Sequence, residues 1–432
     1  MIYKLLLPAF LMLFSVYGCA QTSDNKNSNS EAVEVNNSID LSKYSKTAEP
    51  TKWRGPNADG IYPESNLLDE WPEAGPEELW VNESVGVGHS SPAIANGKIY
   101  LTGMEGENAG TLFVLSKDGK LINKKAYGTD WTDSYPGSRS TPTVVGDLVY
   151  VYSSQGELVC LDEETLDVVW QKNVLEDFDG RNIKWGVTET PVVEGEKIYI
   201  SPGGEKDNVV ALNRFTGEKI WSSPGKGEIS AYCTPLLIDL PKRKLLVTMM
   251  ESHIIGIDRE TGEFLWAHHQ PNKYSVHANK PLYHNGHIFY SSGYGKGSGM
   301  LELSEDGSSV TEEWYTEELD NRMGGMVLID GYIYSSGQNK RGWQALDWET
   351  GEQKFYETGE IFKGVVIAAD NKLYCYSQRG ELALVKPNPE KFELISQTRV
   401  EHGSAQHWSH PVIKDGVLYQ RHGEALVAYK IK

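Results

Sequence analysis

From about residue 78 to the end, the chain alternates short apolar runs of four to seven residues with polar turns. Some runs alternate apolar and polar positions and others are apolar throughout, which are the two patterns of a half-buried and a fully buried strand. The turns carry hairpin pairs such as Asn96-Gly97, Gly146-Asp147, Asp330-Gly331, Asp370-Asn371 and Asp415-Gly416. Such pairs tolerate the positive φ that a two-residue hairpin needs. No stretch beyond the N-terminal leader keeps a 3.6-residue apolar period over helical length. The predicted elements are therefore strands joined by tight turns.

Two marks repeat along this pattern. The first is a strand end, a Thr-Gly turn and an aromatic residue: ALNRFTGEKIW at 211–221, GIDRETGEFLW at 256–266, ALDWETGEQKF at 345–355 and, more loosely, CLDEETLDVVW at 160–170. Trp170, Trp221, Trp266 and Phe355 stand at equivalent places, where large rings can fill a recurring gap between units. The second mark is a proline opening an apolar strand, at Pro92, Pro142, Pro191, Pro235, Pro281 and Pro411. The first four steps are 50, 49, 44 and 46 residues, and the last gap is 130. Three steps of about 43 fill that gap, with unit starts near Met326 and Val366. Eight units of about four strands each predict an all-β fold, an eight-bladed β-propeller of four-stranded antiparallel blades.

The last unit, 407–432, holds only about three strands. The run Glu78-Leu79-Trp80-Val81 supplies a missing outer strand with its aromatic, so the N-terminal strand is expected to close the ring and hide both sheet edges. Residues 51–432 are then one domain. The segment 53–65 has no strand pattern and is expected to pack across the outside or bottom of the ring.

Residues 1–18 read as a signal peptide: Lys4 is followed by an apolar run from Leu5 to Phe14, too short to span a bilayer. Val16-Tyr17-Gly18 before Cys19 resembles a bacterial lipobox, which makes Cys19 the lipidation site. Residues 19–50 are rich in Ser, Asn, Asp, Glu and Lys and are expected to form a disordered tether. A lipoprotein of the Gram-negative cell envelope is expected, at the outer membrane because Ala20 rather than Asp follows the cysteine. Cys160, Cys233 and Cys375 have no disulfide or metal spacing and read as buried thiols. The formal charge of −19 excludes nucleic acid as a natural partner, since phosphate binding needs a basic surface.

The motif A-L-D/N-x-x-T-G-E-x-x-W, with S-x-P-x-V/I upstream, resembles the pyrroloquinoline-quinone-type repeat family, the eight-bladed quinoprotein-like propellers. The resemblance covers nearly all of 51–432. It implies that the Trp and the Thr-Gly turn lock neighbouring blades. The family contains quinone-dependent dehydrogenases and cofactor-free proteins, among them BamB-like lipoproteins of outer-membrane assembly. In size and anchoring the chain is similar to the second group.

In such propellers the loops entering the inner strands meet at one mouth of the channel. The candidate ligand-binding residues are those just before each proline mark: His89, Arg139, Trp185, Glu189, Tyr232, His277, Asn279, Arg322, Lys363, His407, Trp408 and His410. This set is more basic and aromatic than the chain as a whole, which suits an anion, a sugar or a flat acidic cofactor. The resemblance implies an alternative, the quinone held with Ca²⁺ by a carboxylate and an amide. Glu189, Asn279 and Asp320 are the nearby candidates for that role. Against it, the chain has no adjacent cysteine pair, no C-x-x-C-H haem site and no long insertion to cover a cofactor. No zinc spacing, phosphate loop or G-x-S-x-G elbow occurs, and GYGKGSG at 293–299 reads as a flexible hairpin loop. The expected function is a monomeric, cofactor-free envelope scaffold that binds a protein or glycan. The alternative is a quinone-dependent alcohol or sugar dehydrogenase.

Overall fold

The computed structural model describes residues 40–432. The leader, Cys19 and the tether up to residue 39 lie outside the described residues. Eight antiparallel four-stranded sheets follow one another as blades. Blade 1 consists of Ala93–Ala95, Lys98–Glu105, Ala109–Ser116 and Leu121–Thr129. Later blades begin at Thr143, Val192, Leu236, Leu282, Val327, Gly364 and Val412. Each proline mark stands one residue before an innermost strand, where its missing N–H removes no ladder bond. Blade 8 joins Val412–Lys414, Val417–His422 and Ala425–Lys430 to Glu77–Asn82, with Val81 opposite Val427. The two ends of the ring thus share one sheet.

The repeated Trp-and-Gly mark is a bolt between blades. Trp221, on the outer strand of blade 3, donates from Nε1 to the Arg259 carbonyl of blade 4 at 3.1 Å. Its ring lies on Gly262, whose φ is +80°, and a methyl there would come within 2.8 Å of the ring. Trp170 donates to the Arg214 carbonyl, Trp266 to Gly307, Trp314 to Trp348 and Trp80 to Lys117. Each joins its own blade to the next. Blade 1 has no tryptophan on its outer strand, and the facing turn of blade 2 carries Leu166 in place of glycine. Leu166 holds φ +60° and is buried, so its side chain occupies the turn that no ring covers.

The residues before the prolines form a second belt. The Ser91 N–H donates to Thr141 Oγ1 at 3.1 Å, and the Thr190 N–H to Thr234 Oγ1 at 3.0 Å. Ser140 Oγ donates to the Glu189 carbonyl and Ser409 Oγ to the Ser90 carbonyl. Each bond links one inner strand to the next and satisfies buried backbone where no ladder partner exists.

Two expectations need correction. Of the two places expected for the segment 53–65, the outside of the ring is wrong, whereas its end does reach the bottom, where Glu64 accepts from the Asp415 and Gly416 N–H groups. Ile61–Tyr62 pairs in parallel with Ala368 and Ala369 of blade 7's innermost strand, so this stretch enters the channel. Arg54 is buried there and donates to the carbonyls of Met326 (2.7 Å) and Val366 (3.1 Å). Its guanidinium also meets His410 Nδ1 at 2.8 Å. Gly325, at φ +67°, leaves the room, since a methyl there would overlap the Arg54 guanidinium. The physical reason is that one inner strand offers an open edge and the channel offers unpaired carbonyls. The other correction concerns the end of the tether. Tyr44 is buried against blade 2, its hydroxyl and Lys43 both bond Asp162, and the Ser45 carbonyl accepts from Arg214. One tyrosine anchors a stretch whose composition reads as tether.

The three described cysteines are free and buried, in three different blades. No helix among the described residues is long and apolar enough to cross a membrane.

Candidate functional site

At the mouth where the lead-in loops converge, a cup of about 400 Å³ opens to solvent, with Trp53 of the N-terminal plug among its lining residues. Backbone alternation decides which lead-in residues face it. Residues three before the inner-strand mark line the cup in seven blades, as His89, Arg139, Thr188, Tyr232, Ala278, Met323 and Trp408, while Lys363 of blade 7 does not. Residues two before it lie mostly in the buried belt, as Ser140, Glu189, Asn279 and Ser409 do. The structure therefore brings together His89, Arg139, Trp185, Tyr232, Arg322, Trp408 and His410.

Five predicted residues do not reach the cup. Glu189 is buried, and its carboxylate accepts from the Ser201 N–H at 2.7 Å. Asn279 donates to the Asn321 carbonyl at 2.7 Å and accepts from the Gly325 N–H at 3.1 Å. His277 is buried with Nε2 on the Glu251 carbonyl. Lys363 turns away to the carbonyl and side chain of Gln338, at 2.9 and 2.6 Å. His407 stacks on His422 at 3.7 Å and meets the Tyr376 hydroxyl.

Five aromatic or cationic lining residues are new: Trp53, Tyr135, Lys184, Tyr274 and Tyr294. They come from the plug and from longer loops away from the proline marks. Tyr294 belongs to the 293–299 hairpin, holds φ +63° and packs on Tyr274 with ring centroids 4.8 Å apart. Tyr274 in turn meets Trp185 at 5.9 Å, and Trp408 lies between His89 (5.1 Å) and Tyr135 (4.9 Å). The wall is thus a chain of aromatic rings with hydroxyl tips.

Three cations stand on this wall. Lys184 Nζ lies 4.9 Å from the Trp185 ring centroid and 5.1 Å from that of Tyr274. Arg322 lies 5.8 Å from Trp408 and 5.9 Å from Tyr294, with a single long hydrogen bond of 3.5 Å to the Tyr294 hydroxyl. Arg139 donates to the Tyr135 carbonyl at 2.7 Å. Among the described residues none of the three forms an ion pair with a carboxylate, and no acidic side chain lines the cup. The Nε of Arg139, the Nε of Arg322 and both ring nitrogens of His89 are buried without a hydrogen-bond partner. Burial pushes the Arg139 guanidinium down to about 10. Burial, then Arg139 and Arg421, push His89 down to about 3, so it is a neutral imidazole.

The Ca²⁺ and quinone that the resemblance implies meet this site unequally. A calcium ion needs oxygen donors free to coordinate. Glu189 and Asn279 are committed to backbone groups. Asp320 is buried and takes the N–H groups of Gly295, Gln338 and Asn339 at 2.8–3.1 Å. No cluster of three His, Cys, Asp or Glu side chains that could hold a metal occurs among the described residues. The three oxygen donors do not fit the ion, whereas Arg139 and Arg322 suit any carboxylate.

Burial raises the Glu189 carboxyl from its ordinary 4.5 to about 7. The folded state therefore holds this proton more tightly than the unfolded chain. The resulting stability is present below about pH 4.5 and is lost as pH rises through about 7. Glu189→Gln should abolish that decline and leave the variant more stable than the wild type at pH 8, by on the order of 3 kcal/mol. Urea unfolding at pH 5 and pH 8 measures it, and parallel pH dependences for the two proteins would contradict the assignment.

Fold and mouth together define an eight-bladed propeller with a cationic, aromatic cup above a plugged channel. A family profile described as "Outer membrane protein assembly factor BamB" matches residues 65–267 and 108–357, which together are more than half of the chain. The chain belongs to that family. Two relatives bear the same name. That of Kangiella koreensis is 24% identical over 156 residues, covering 36% of this chain and 35% of the relative. That of Salmonella typhimurium is 27% identical over 139 residues, covering 31% of each. The chain thus spans about a third of the length of the curated relatives it matches. Among solved structures, BamB from Moraxella catarrhalis superposes with a TM-score of 0.57 at 11% identity, over 82% of this chain and 99% of that one. A quinohemoprotein alcohol dehydrogenase from Comamonas testosteroni gives 0.59 at 13%, over 87% and 79%. At such identities the likeness shows the fold alone.

Proposed function

We propose that this chain is a non-catalytic binding propeller of the cell envelope, a scaffold that receives its partner at the cup. The observation that carries this reading is the composition of the cup. Three cations without counter-ions share the wall with aromatic rings that meet at steep angles, and no carboxylate stands where a general base or a metal ligand would be needed. Such a surface binds, and His89 on it is a weak base, since desolvation lowers its pKa well below the ordinary value. Membership of a family named for outer membrane protein assembly supports a scaffold role. Attachment through Cys19, with the leader at 1–18 and a tether to about residue 39, would hold the propeller at the outer membrane.

The quinone dehydrogenase reading is favoured by the two arginines and by the shared fold, and opposed by the committed calcium donors. Pyrroloquinoline quinone with Ca²⁺, added to the full chain, is expected to give no dye-linked oxidation of alcohols or sugars and no calcium-dependent rise in melting temperature. A ligand specific to the folded state at a hundred times its Kd would stabilise by about 2.7 kcal/mol, well within reach of a thermal scan. Turnover with the reconstituted protein would overturn the scaffold reading.

A further inference from the structure

We propose that the cup binds an acidic saccharide, a pyranose chain bearing uronate carboxylates, with Arg139 and Arg322 as the carboxylate-binding groups. This inference rests on the binding-propeller reading and names the chemistry of its ligand. Three observations converge on it.

The first is charge. In a protein of formal charge −19, the mouth carries three cations and no lining carboxylate. A guanidinium has five N–H donors in a planar fork. Arg322 uses one, at 3.5 Å, and its Nε is buried and unpartnered. Arg139 has acceptors only in the carbonyls of Ser134 and Tyr135, and its Nε is likewise unpartnered. Partly desolvated forks that lack acceptors are suited to a planar carboxylate.

The second is the wall. Trp185, Trp408, Tyr274 and Tyr294 expose ring faces and edges tilted against one another by tens of degrees rather than stacked in one plane. The rings of Trp185 and Tyr274 meet at 66° and those of Tyr274 and Tyr294 at 63°, so neither pair stacks in parallel. Separate tilted faces suit the apolar faces of successive pyranose rings. The third is the hydroxyl content. Thr188, Tyr232 and their neighbours present neutral donors and acceptors between the rings, as a polyhydroxylated ligand requires. A volume of about 400 Å³ holds one or two sugar rings and leaves the chain free to run out through the open mouth.

The inference is tested by isothermal titration of the full chain with trigalacturonate. The neutral trisaccharide maltotriose and a tri-glutamate peptide serve as comparison ligands. Trigalacturonate should bind one to one, at least tenfold more tightly than either. Arg322→Ala should weaken it about tenfold or more. Arg322→Lys, which keeps the charge and loses the fork, should give a smaller loss at an unchanged melting temperature. Lys363→Ala, which alters a cation outside the cup, should leave it unchanged. Preference for the peptide would overturn the saccharide inference and leave the cup as a docking site for an acidic protein segment. Equal binding of maltotriose would overturn the role of the arginines. Binding of none of the three would overturn the inference, while the dye-linked assay decides the scaffold reading independently.

Discussion

Trp221→Ala is expected to lower the unfolding free energy by about 3–5 kcal/mol, the range for removing a large buried aromatic. Trp221 is buried, packs at 5.9 Å from the Tyr199 ring and covers Gly262 of the next blade. Truncation opens a cavity that neither sheet can fill without sliding. It also leaves the Arg259 carbonyl without its indole donor. Blades touch mainly their neighbours, so their stability sums over units and seams, and a weakened seam reduces cooperativity as well as the midpoint. Urea unfolding should show a lower midpoint and a broader transition. Trp80→Ala is the internal comparison. The same bolt there is partly exposed, so the loss should be clearly smaller. Equal losses at the two sites, or a loss under about 1 kcal/mol at Trp221, would contradict the bolt.

The bolts also show which features a sequence displays. Repeats made the blade count legible, because Thr-Gly turns and prolines recur at fixed steps. The partners of each repeat were not legible, because the Trp of one blade meets the Gly of the next, about 40 residues further on. Leu166 illustrates this. It looks like a degraded copy of the turn, yet it stands opposite a blade whose outer strand carries no ring at that position. The cup was half legible. The lead-in loops are legible from the proline marks, but the side to which each of their residues turns depends on backbone alternation. Glu189 and Asn279 fall two residues before their prolines and so enter the belt, while His89, Tyr232 and Trp408 fall three before and face the mouth. Arg322 stands four before Met326 and still reaches the cup. Tyr135, Lys184, Tyr274 and Tyr294 lie on irregular loops with no periodic signal. Trp53 and Arg54 were hidden for another reason. Their segment pairs with a strand more than 300 residues away, and nothing local marks a plug.

Arg421→Ala should cost about 3–5 kcal/mol, for a reason different from Trp221. Arg421 is fully buried on the strand Val417–His422 of blade 8. Its guanidinium donates to the Gly423 and Gly86 carbonyls at 2.9 Å, and to the Thr102 carbonyl and Ser90 hydroxyl of blade 1 and its lead-in. One side chain therefore satisfies four acceptors, three of them across the seam where the two ends of the ring meet. Alanine removes the donors and leaves the carbonyls dry, the costly half of a broken hydrogen bond. Arg421→Met separates the two contributions. It keeps much of the volume and removes a desolvated cation, which offsets part of the loss, so it should fall between alanine and wild type. Arg421→Lys keeps the charge with three donors in place of five, and should also fall between them. Hydrogen exchange gives the local readout. Amides in the strand Lys98–Glu105 should lose protection in Arg421→Ala before those of Leu245 or Val247 in blade 4 do. If Arg421→Ala stayed within about 1 kcal/mol of wild type with blade 1 protection intact, the seam would owe its strength to the pairing of Glu77–Asn82 with Ala425–Lys430 instead.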